Sequence, residues 1–333
     1  MKQIIECVPN FSEGINPVKI NRIASEITAV PGVKLLNVDP GHDANRTVIT
    51  FAGEPEAVIE AAFNAIKMAG EVIDMCTQKG EHPRMGATDV CPLIPVSNIT
   101  IAEVDIYARQ LAQRVGNDLG IPVYLYEYSQ PDKRRSNLSI IRSGEYEGFF
   151  DKINQPGWRP DYGPLQMDAQ RGATVIGARN FLIAYNVNLN TSSVEIASEI
   201  AADIRESGRV VTDSNGTKMR IAGLLKGVKG IGWFMKEYNC AQVSTNITDI
   251  EISPIHEVFE TISRCAEARG FKVTGSELIG LIPLSAMIAA GAYFAGHDQI
   301  KSEPELAQLA VNELGLGVIK PFELEKRILD YLL

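Results

Sequence analysis

Hydrophobic periodicity in this chain switches between two and 3.6 residues in a fixed order, and that order occurs twice. Gln3–Val8 alternates as a strand does. Pro17 after Asn16 opens a helix whose Ile20, Ile23, Ala24 and Ile27 share a face, and Pro31-Gly32 stops it. Val33–Val38 and Arg46–Phe51 read as two strands joined by the turn-rich Asp39–Asn45. Pro55 starts a helix with Val58, Ala61, Ala62, Ala65, Ile66 and Ala69 on one side, and Ala87–Val96 is the next strand. A further helix (Ile101–Leu119) and strand (Ile121–Tyr126) follow. A loop-rich bridge runs from Ser129 to Gly172, and then the order returns. Phe181–Leu189 is a strand, Thr191 caps a helix ending near Gly208, and Arg220–Leu225 and Ala241–Thr248 are strands. Helix Pro254–Arg269 and strand Phe271–Ile282 complete it, and helical fragments close the chain.

The order β-α-β-β-α-β belongs to a split-βαβ, ferredoxin-like module. The expected fold is α+β, with two ferredoxin-like βαββαβ-type subdomains at residues 1–178 and 179–333. Their sheets are expected to be mixed, with helices laid on one face. A length of 333 residues, 45% of them hydrophobic, is enough for two cores.

A formal net charge of −9 argues against a nucleic-acid partner, which needs a basic face, and Lys133-Arg134-Arg135 reads as a solvated loop. No GxGxxG follows a strand and no GxxxxGK[ST] occurs, and Gly230-Ile231-Gly232 is too short a signal to stand for either. The five cysteines (Cys7, Cys76, Cys91, Cys240, Cys265) are scattered, without a CxxC pair, which fits a reduced, cytoplasmic setting. Lys2 and Glu6 leave no apolar run for a signal peptide. The uncharged stretch Leu278–Gly296 is long enough to span a bilayer, but Pro283 and its glycines split it into a strand end and an alanine-rich helix, so no membrane partner is expected.

Four histidines are present, and no HxH or HExxH spacing, so no metal is expected. His42, His256 and His297 sit in turn or helix-start contexts and read as surface or capping residues. His82 differs in setting: Gly80-Glu81-His82-Pro83-Arg84-Met85-Gly86 is a glycine-bounded loop before a buried strand, where a rigid sheet can hold a catalytic group. An incidental histidine in a polar turn is the competing reading. At the end of the first strand, Asn10, Ser12 and Glu13 offer hydrogen-bonding groups, or else only shape the turn. The bridge ends in Arg171-Gly172-Ala173-Thr174 and Gly177-Ala178-Arg179-Asn180, whose glycines admit a ligand ring and whose arginines suit carboxylates; a plain linker is the alternative.

These segments resemble the formiminotransferase domain family. The resemblance lies in Cys7-Val8-Pro9-Asn10-Phe11-Ser12-Glu13-Gly14, Asn45-Arg46-Thr47-Val48, Gly80 to Ala87 and Asp89-Val90-Cys91-Pro92. It continues in Pro122 to Tyr126, Gly172-Ala173-Thr174, Gly177-Ala178-Arg179, Ala241 to Asn246 and Gly280 to Leu284, and so spans almost the whole chain. The resemblance implies a homodimeric enzyme of histidine breakdown that moves a formimidoyl group from N-formimidoyl-L-glutamate to tetrahydrofolate or its polyglutamates. It implies that His82 is catalytic and that Gly163, Pro164, Leu165, Gln166, Met167, Asp168, Ala169, Gln170, Arg171 and Gly172 bind folate. The interior of that stretch, Leu165–Arg171, departs from any pattern shared with the family. It also implies a cyclodeaminase acting next, which some relatives carry fused. A formyl-preferring transferase and a non-catalytic folate-binding module are the alternatives.

The chemistry asks for one group that takes a proton from the attacking folate N5 and returns one to the departing amine. A histidine near its ordinary pKa of ~6.5 suits both steps. Carboxylates on donor and folate call for cations, for which Arg46, Arg84 and Arg179 are the candidates by position. Asn10 and Asp39 are further substrate-binding candidates, and Asp39 or Glu81 is expected to orient the imidazole.

Overall fold

The computed structural model describes residues 2–213, 216–296 and 301–333; His297 lies outside them. The chain divides into two compact units, Met1–Asn180 with Leu333, and Phe181–Leu332.

In the first unit, strands β1 (Ile4–Cys7) and β2 (Asn10–Phe11) form one line broken at Val8-Pro9, where proline has no N–H to give a ladder. Both pair antiparallel with β4 (Arg46–Gly53) on one side and β5 (Thr88–Ser97) on the other, and β3 (Val33–Gly41) closes the far side of β4. The first strand thus lies between the third and fourth, the order of a split βαβ. Beyond β5 the sheet turns parallel through β7 (Thr174–Ala178) to β6 (Val123–Leu125), so this sheet is mixed.

Helices α1 (Pro17–Thr28), α2 (Pro55–Val72) and α3 (Ile101–Asp118) lie side by side. Asn16 caps α1 by accepting from Val18 N at 3.0 Å, and Thr100 and Glu103 form a capping box on α3. Ile23 and Ile27, Val58 and Ile66, and Val104 and Leu111 bury against Ile5, Cys7, Phe51 and Leu93 of the strands. Strand alternation then turns Glu6, Asn10, Asp39, Arg46 and Val48 to the opposite face. The bridge expected to be loop contains two short helices, α4 (Leu138–Arg142) and α5 (Glu145–Lys152). Their length is too small for a 3.6-residue pattern to register, and Gly144, with φ +92°, separates them.

The second unit repeats the plan with an antiparallel sheet throughout. Strand β8 (Ile183–Leu189) leads to α6 (Val194–Ile204), a detached hairpin β9 (Arg209–Thr212) and β10 (Lys218–Ile221), then β11 (Val228–Met235) and β12 (Cys240–Ile247). Helix α7 (Ile255–Glu267) and β13 (Val273–Ile279) complete a sheet ordered β11-β12-β8-β13, followed by α8 (Leu284–Ala295) and α9 (Glu303–Glu313). The two ferredoxin-like modules of an α+β fold are present.

The expected strand Arg220–Leu225 is a correction: the sheet strand is β11, and Lys218–Ile221 belongs to the hairpin. Of the glycines that weaken the strand signal of β11, Gly232 is there for packing. A Cβ on Gly232 would lie 2.2 Å from the backbone N of Ser198 in α6, so helix and strand approach too closely for any side chain. The stretch Leu278–Gly296 divides as expected between β13 and α8. Among the described residues no helix is long and apolar enough to cross a membrane.

Gly232→Ala is expected to lower stability by about 1–3 kcal/mol through overpacking against α6, read as a reduced urea midpoint with an unchanged slope. An unchanged midpoint would show that the helix moves aside freely.

Candidate active site

The loop Lys79–Gly86 joins α2 to β5 and is fastened along its length. Asn45, in a left-handed turn at φ +45°, donates Nδ2–H to Lys79 O at 2.6 Å, and Gln78 donates to Asn45 O at 3.0 Å. Gly80 lets the loop lie on the turn between β3 and β4, since a Cβ there would meet Ala44 O at 2.3 Å. At the other end Ser12 Oγ donates to Gly86 O at 2.7 Å, Ala87 N to Arg171 O at 2.8 Å and Met85 N to Asp89 Oδ1 at 3.0 Å. The second oxygen of Asp89, a fully buried carboxylate, accepts from Arg142 Nη2 at 2.6 Å.

This scaffold sets half-buried His82 against Arg46 at the start of β4. His82 Nδ1 lies 2.7 Å from Pro83 O, which can only accept, so Nδ1 carries the proton. Nε2 is then bare, and Arg46 Nη1 lies against the ring, 2.6 Å from Nε2 and 3.1 Å from Nδ1. Pro83 O and Arg46 are thus the groups in contact with the imidazole nitrogens. Loss of water and the guanidinium groups of Arg46 and Arg142 hold the His82 pKa well below the ordinary 6.5, against a smaller upward pull from Pro83 O. The expectation of an ordinary histidine pKa is therefore corrected for the unliganded protein. Arg46 is itself lowered to about 10 by removal from water and by Arg142, with Asp89 and Asp39 opposing.

Asp39, Val48, Asn10 and Val90 form one row across β3, β4, β2 and β5, next to Arg46. His82, Arg46, Asp39 and Asn10 are thus brought to one end of one sheet face. Glu13 instead shapes the turn, its Oε1 accepting from the N–H groups of Ile15 and Asn16, each at 2.9 Å, while Ser12 holds the histidine loop through Gly86 O. Arg84 is buried, bonded to Glu147 at 2.7 and 2.9 Å, Glu145 at 3.1 Å and Gln78 at 2.9 Å, so it pins the loop to α5. Arg179 follows β7 and donates its N–H to Leu93 O, roughly 17 Å along β5 from Thr88 at the loop end. There its charge bears on Glu6, a buried carboxyl pushed up to about 7 by burial.

Most of Gly163–Gly172 packs around the ends of α2 and α3. Asp168 accepts from Arg171 N, Nε and Nη2, Arg171 Nη1 reaches Leu119 O, and Gln170 donates to Gly70 O at 3.3 Å. Met167 is buried, while Gly163, Pro164, Leu165, Gln166, Ala169 and Gln170 are exposed. Gly172, at φ +73°, touches the histidine loop, and a Cβ there would lie 2.3 Å from Met85 O. The space it leaves is filled by backbone rather than by a ligand.

The family model described as "Formiminotransferase domain, N-terminal subdomain" matches residues 4–179, and that described as "Formiminotransferase domain" matches residues 184–333. The chain belongs to the formiminotransferase family. It is 41% identical to a glutamate formimidoyltransferase from Streptococcus pyogenes serotype M1 over 88% of this chain and 94% of that one. Against the formimidoyltransferase-cyclodeaminase of Gallus gallus it is 47% identical over 100% of this chain, and it spans 60% of that relative's length.

In this formiminotransferase chain, sequence reasoning missed Arg142 and Lys152. Arg142 lies sixty residues from His82 (142 − 82) in what reads as a linker, and no spacing rule joins them. A buried pair, Asp89 with Arg142, brings them together.

Gly172→Val is expected to weaken the whole loop and lower Tm; an unchanged Tm would restore the ligand-space reading. The His82 imidazole is expected to stay neutral at pH 6.5 in the free protein, and Arg46→Gln should raise its midpoint. An NMR titration checks both, and an unsubstituted midpoint at or above 6.5 would contradict the geometry.

Proposed function

We propose that this chain transfers the formimidoyl group of N-formimidoyl-L-glutamate to N5 of tetrahydrofolate, giving 5-formimidoyltetrahydrofolate and L-glutamate, in histidine degradation. The observation that carries the reading is His82, held neutral with its Nε2 lone pair turned to Arg46, in a chain of this family.

N5 attacks the sp² formimidoyl carbon, the C–N5 bond forms, and the proton leaving N5 goes to His82 Nε2. The tetrahedral intermediate collapses as the bond to the glutamate nitrogen breaks, and His82 returns the proton to that nitrogen. Arg46 occupies Nε2 in the unliganded site. A substrate carboxylate draws the guanidinium away, bares Nε2 and offsets the positive charge that holds the imidazole pKa down. The histidine thereby approaches the range that suits both proton transfers.

Asn10 and Asp39 flank the same position and suit the amidine and the pterin edge. Arg179, about a folate tail's length away along β5, suits the glutamate end of the folate. Arg84 braces the loop. From the stretch Gly163–Gly172, a folate contact rests with exposed Pro164, Leu165 and Gln166. No step in this chemistry calls for a metal. A homodimer, a cytoplasmic setting and a cyclodeaminase that consumes the product complete the proposal; the cyclodeaminase is supported by the relatives whose names join the two activities.

His82→Ala is expected to lower kcat by about 10²–10⁴ with folding and folate binding kept, measured by following folate absorbance with formimidoyl-glutamate as donor. Near-normal kcat in the folded variant would remove His82 from the reaction.

A further inference from the structure

Arg142 is built into the site with more support than a linker arginine needs. Lys152 Nζ donates to the carbonyls of Ile140, Ile141 and Ser143 at 2.9, 2.7 and 2.8 Å, clamping the end of α4 on both sides of Arg142. Trp158 covers that ammonium, its ring centroid 3.8 Å from Nζ. Asp89 takes Nη2, and its other oxygen holds the loop three residues after His82. Arg142 Nε is buried and has no acceptor among the described residues. Its charge is close enough to bear on both Arg46 and His82. Two guanidinium groups are therefore held near one another, partly out of water, with a charged donor unmatched. Such an arrangement is costly when empty and favours an anion.

We propose that Arg142 binds substrate: with Arg46 it holds the α-carboxylate of the N-formimidoyl amino acid, its Nε–H donating to one carboxylate oxygen. This rests on the transfer reading given above. The α-carboxylate is the group in question because it sits on the carbon that bears the departing nitrogen. His82 must reach that nitrogen, and Arg46 already touches His82.

The experiment compares kcat/KM for N-formimidoyl-L-glutamate with that for its α-amide, N-formimidoyl-isoglutamine. This ratio does not depend on how much of a variant is folded. Arg142→Lys keeps a cation opposite Asp89 but lacks the Nε donor, and its ratio should fall about tenfold or more, with KM for tetrahydrofolate held. Arg142→Gln should also weaken binding of L-glutamate, by calorimetry, by a similar factor. An unchanged ratio in Arg142→Lys overturns the proposal. So does a fall seen only with the γ-amide, N-formimidoyl-glutamine, which moves Arg142 to the other carboxylate. Failure of the unsubstituted protein to use formimidoyl-glutamate at all is a different result and removes the underlying reading.

Discussion

Asp89 lies at the start of β5 with no exposure to water, and both of its oxygens are used: one by Met85 N–H, the other by Arg142. A carboxylate in that position is stable only while both partners remain, because removing either leaves a buried charge uncompensated. The first partner fixes the exit of the histidine loop into the sheet. The second ties α4, an element from a different part of the chain, to the same point. That junction decides where the loop ends and brings Arg142 to the site beside Arg46 of β4.

The electrostatic consequence is a histidine that is neutral before substrate arrives. Two guanidinium groups and partial burial disfavour imidazolium, and the single hydrogen bond from Nδ1–H to Pro83 O opposes them only in part. In the proposed transfer, a neutral imidazole is the form that can accept a proton from N5. The cationic form would serve the second half of that reaction, becoming accessible as an anionic substrate offsets the surrounding charge. Cations proposed to bind carboxylates would then couple binding to the proton affinity of His82. An isolated histidine of ordinary pKa lacks this coupling.

The ferredoxin-like order and the helical faces were legible because long, strongly periodic segments carry them: Ile20 to Ile27 and Val58 to Ala69 bury as their spacing indicates. Strand β11 was not, because Gly232 answers to the close approach of α6 rather than to strand preference. The convergence of His82, Arg46, Asp39 and Asn10 was legible only as separate short segments: strand register brings Asn10 and Asp39 into one row next to Arg46, and the loop Lys79–Gly86 carries His82 to Arg46. Arg84 misled because an arginine beside a candidate histidine looks like a ligand group, while its carboxylate partners, Glu145 and Glu147, lie some sixty residues away (145 − 84 = 61; 147 − 84 = 63). Arg142 was invisible for the same reason: a buried ion pair between distant residues leaves no periodic trace.

The glycines around the loop indicate which part of the site moves. Gly80 and Gly172 press against the backbones of Ala44 and Met85, and Gly86 against that of Ala173, at separations no Cβ could occupy. Contacts of that kind are backbone on backbone, and they resist hinge motion because neither side has a rotamer to change. The loop and its imidazole are accordingly fixed, and side chains supply the adjustment. Asp89 and Lys152 restrain Arg142 at its head and at its backbone. Arg46 is held to His82 by a single guanidinium nitrogen, and that bond is the one a carboxylate can replace with a stronger, charge-assisted pair. In the proposed reaction, a rotation of Arg46 away from Nε2 would uncover His82 and turn the guanidinium to the substrate carboxylate in one event.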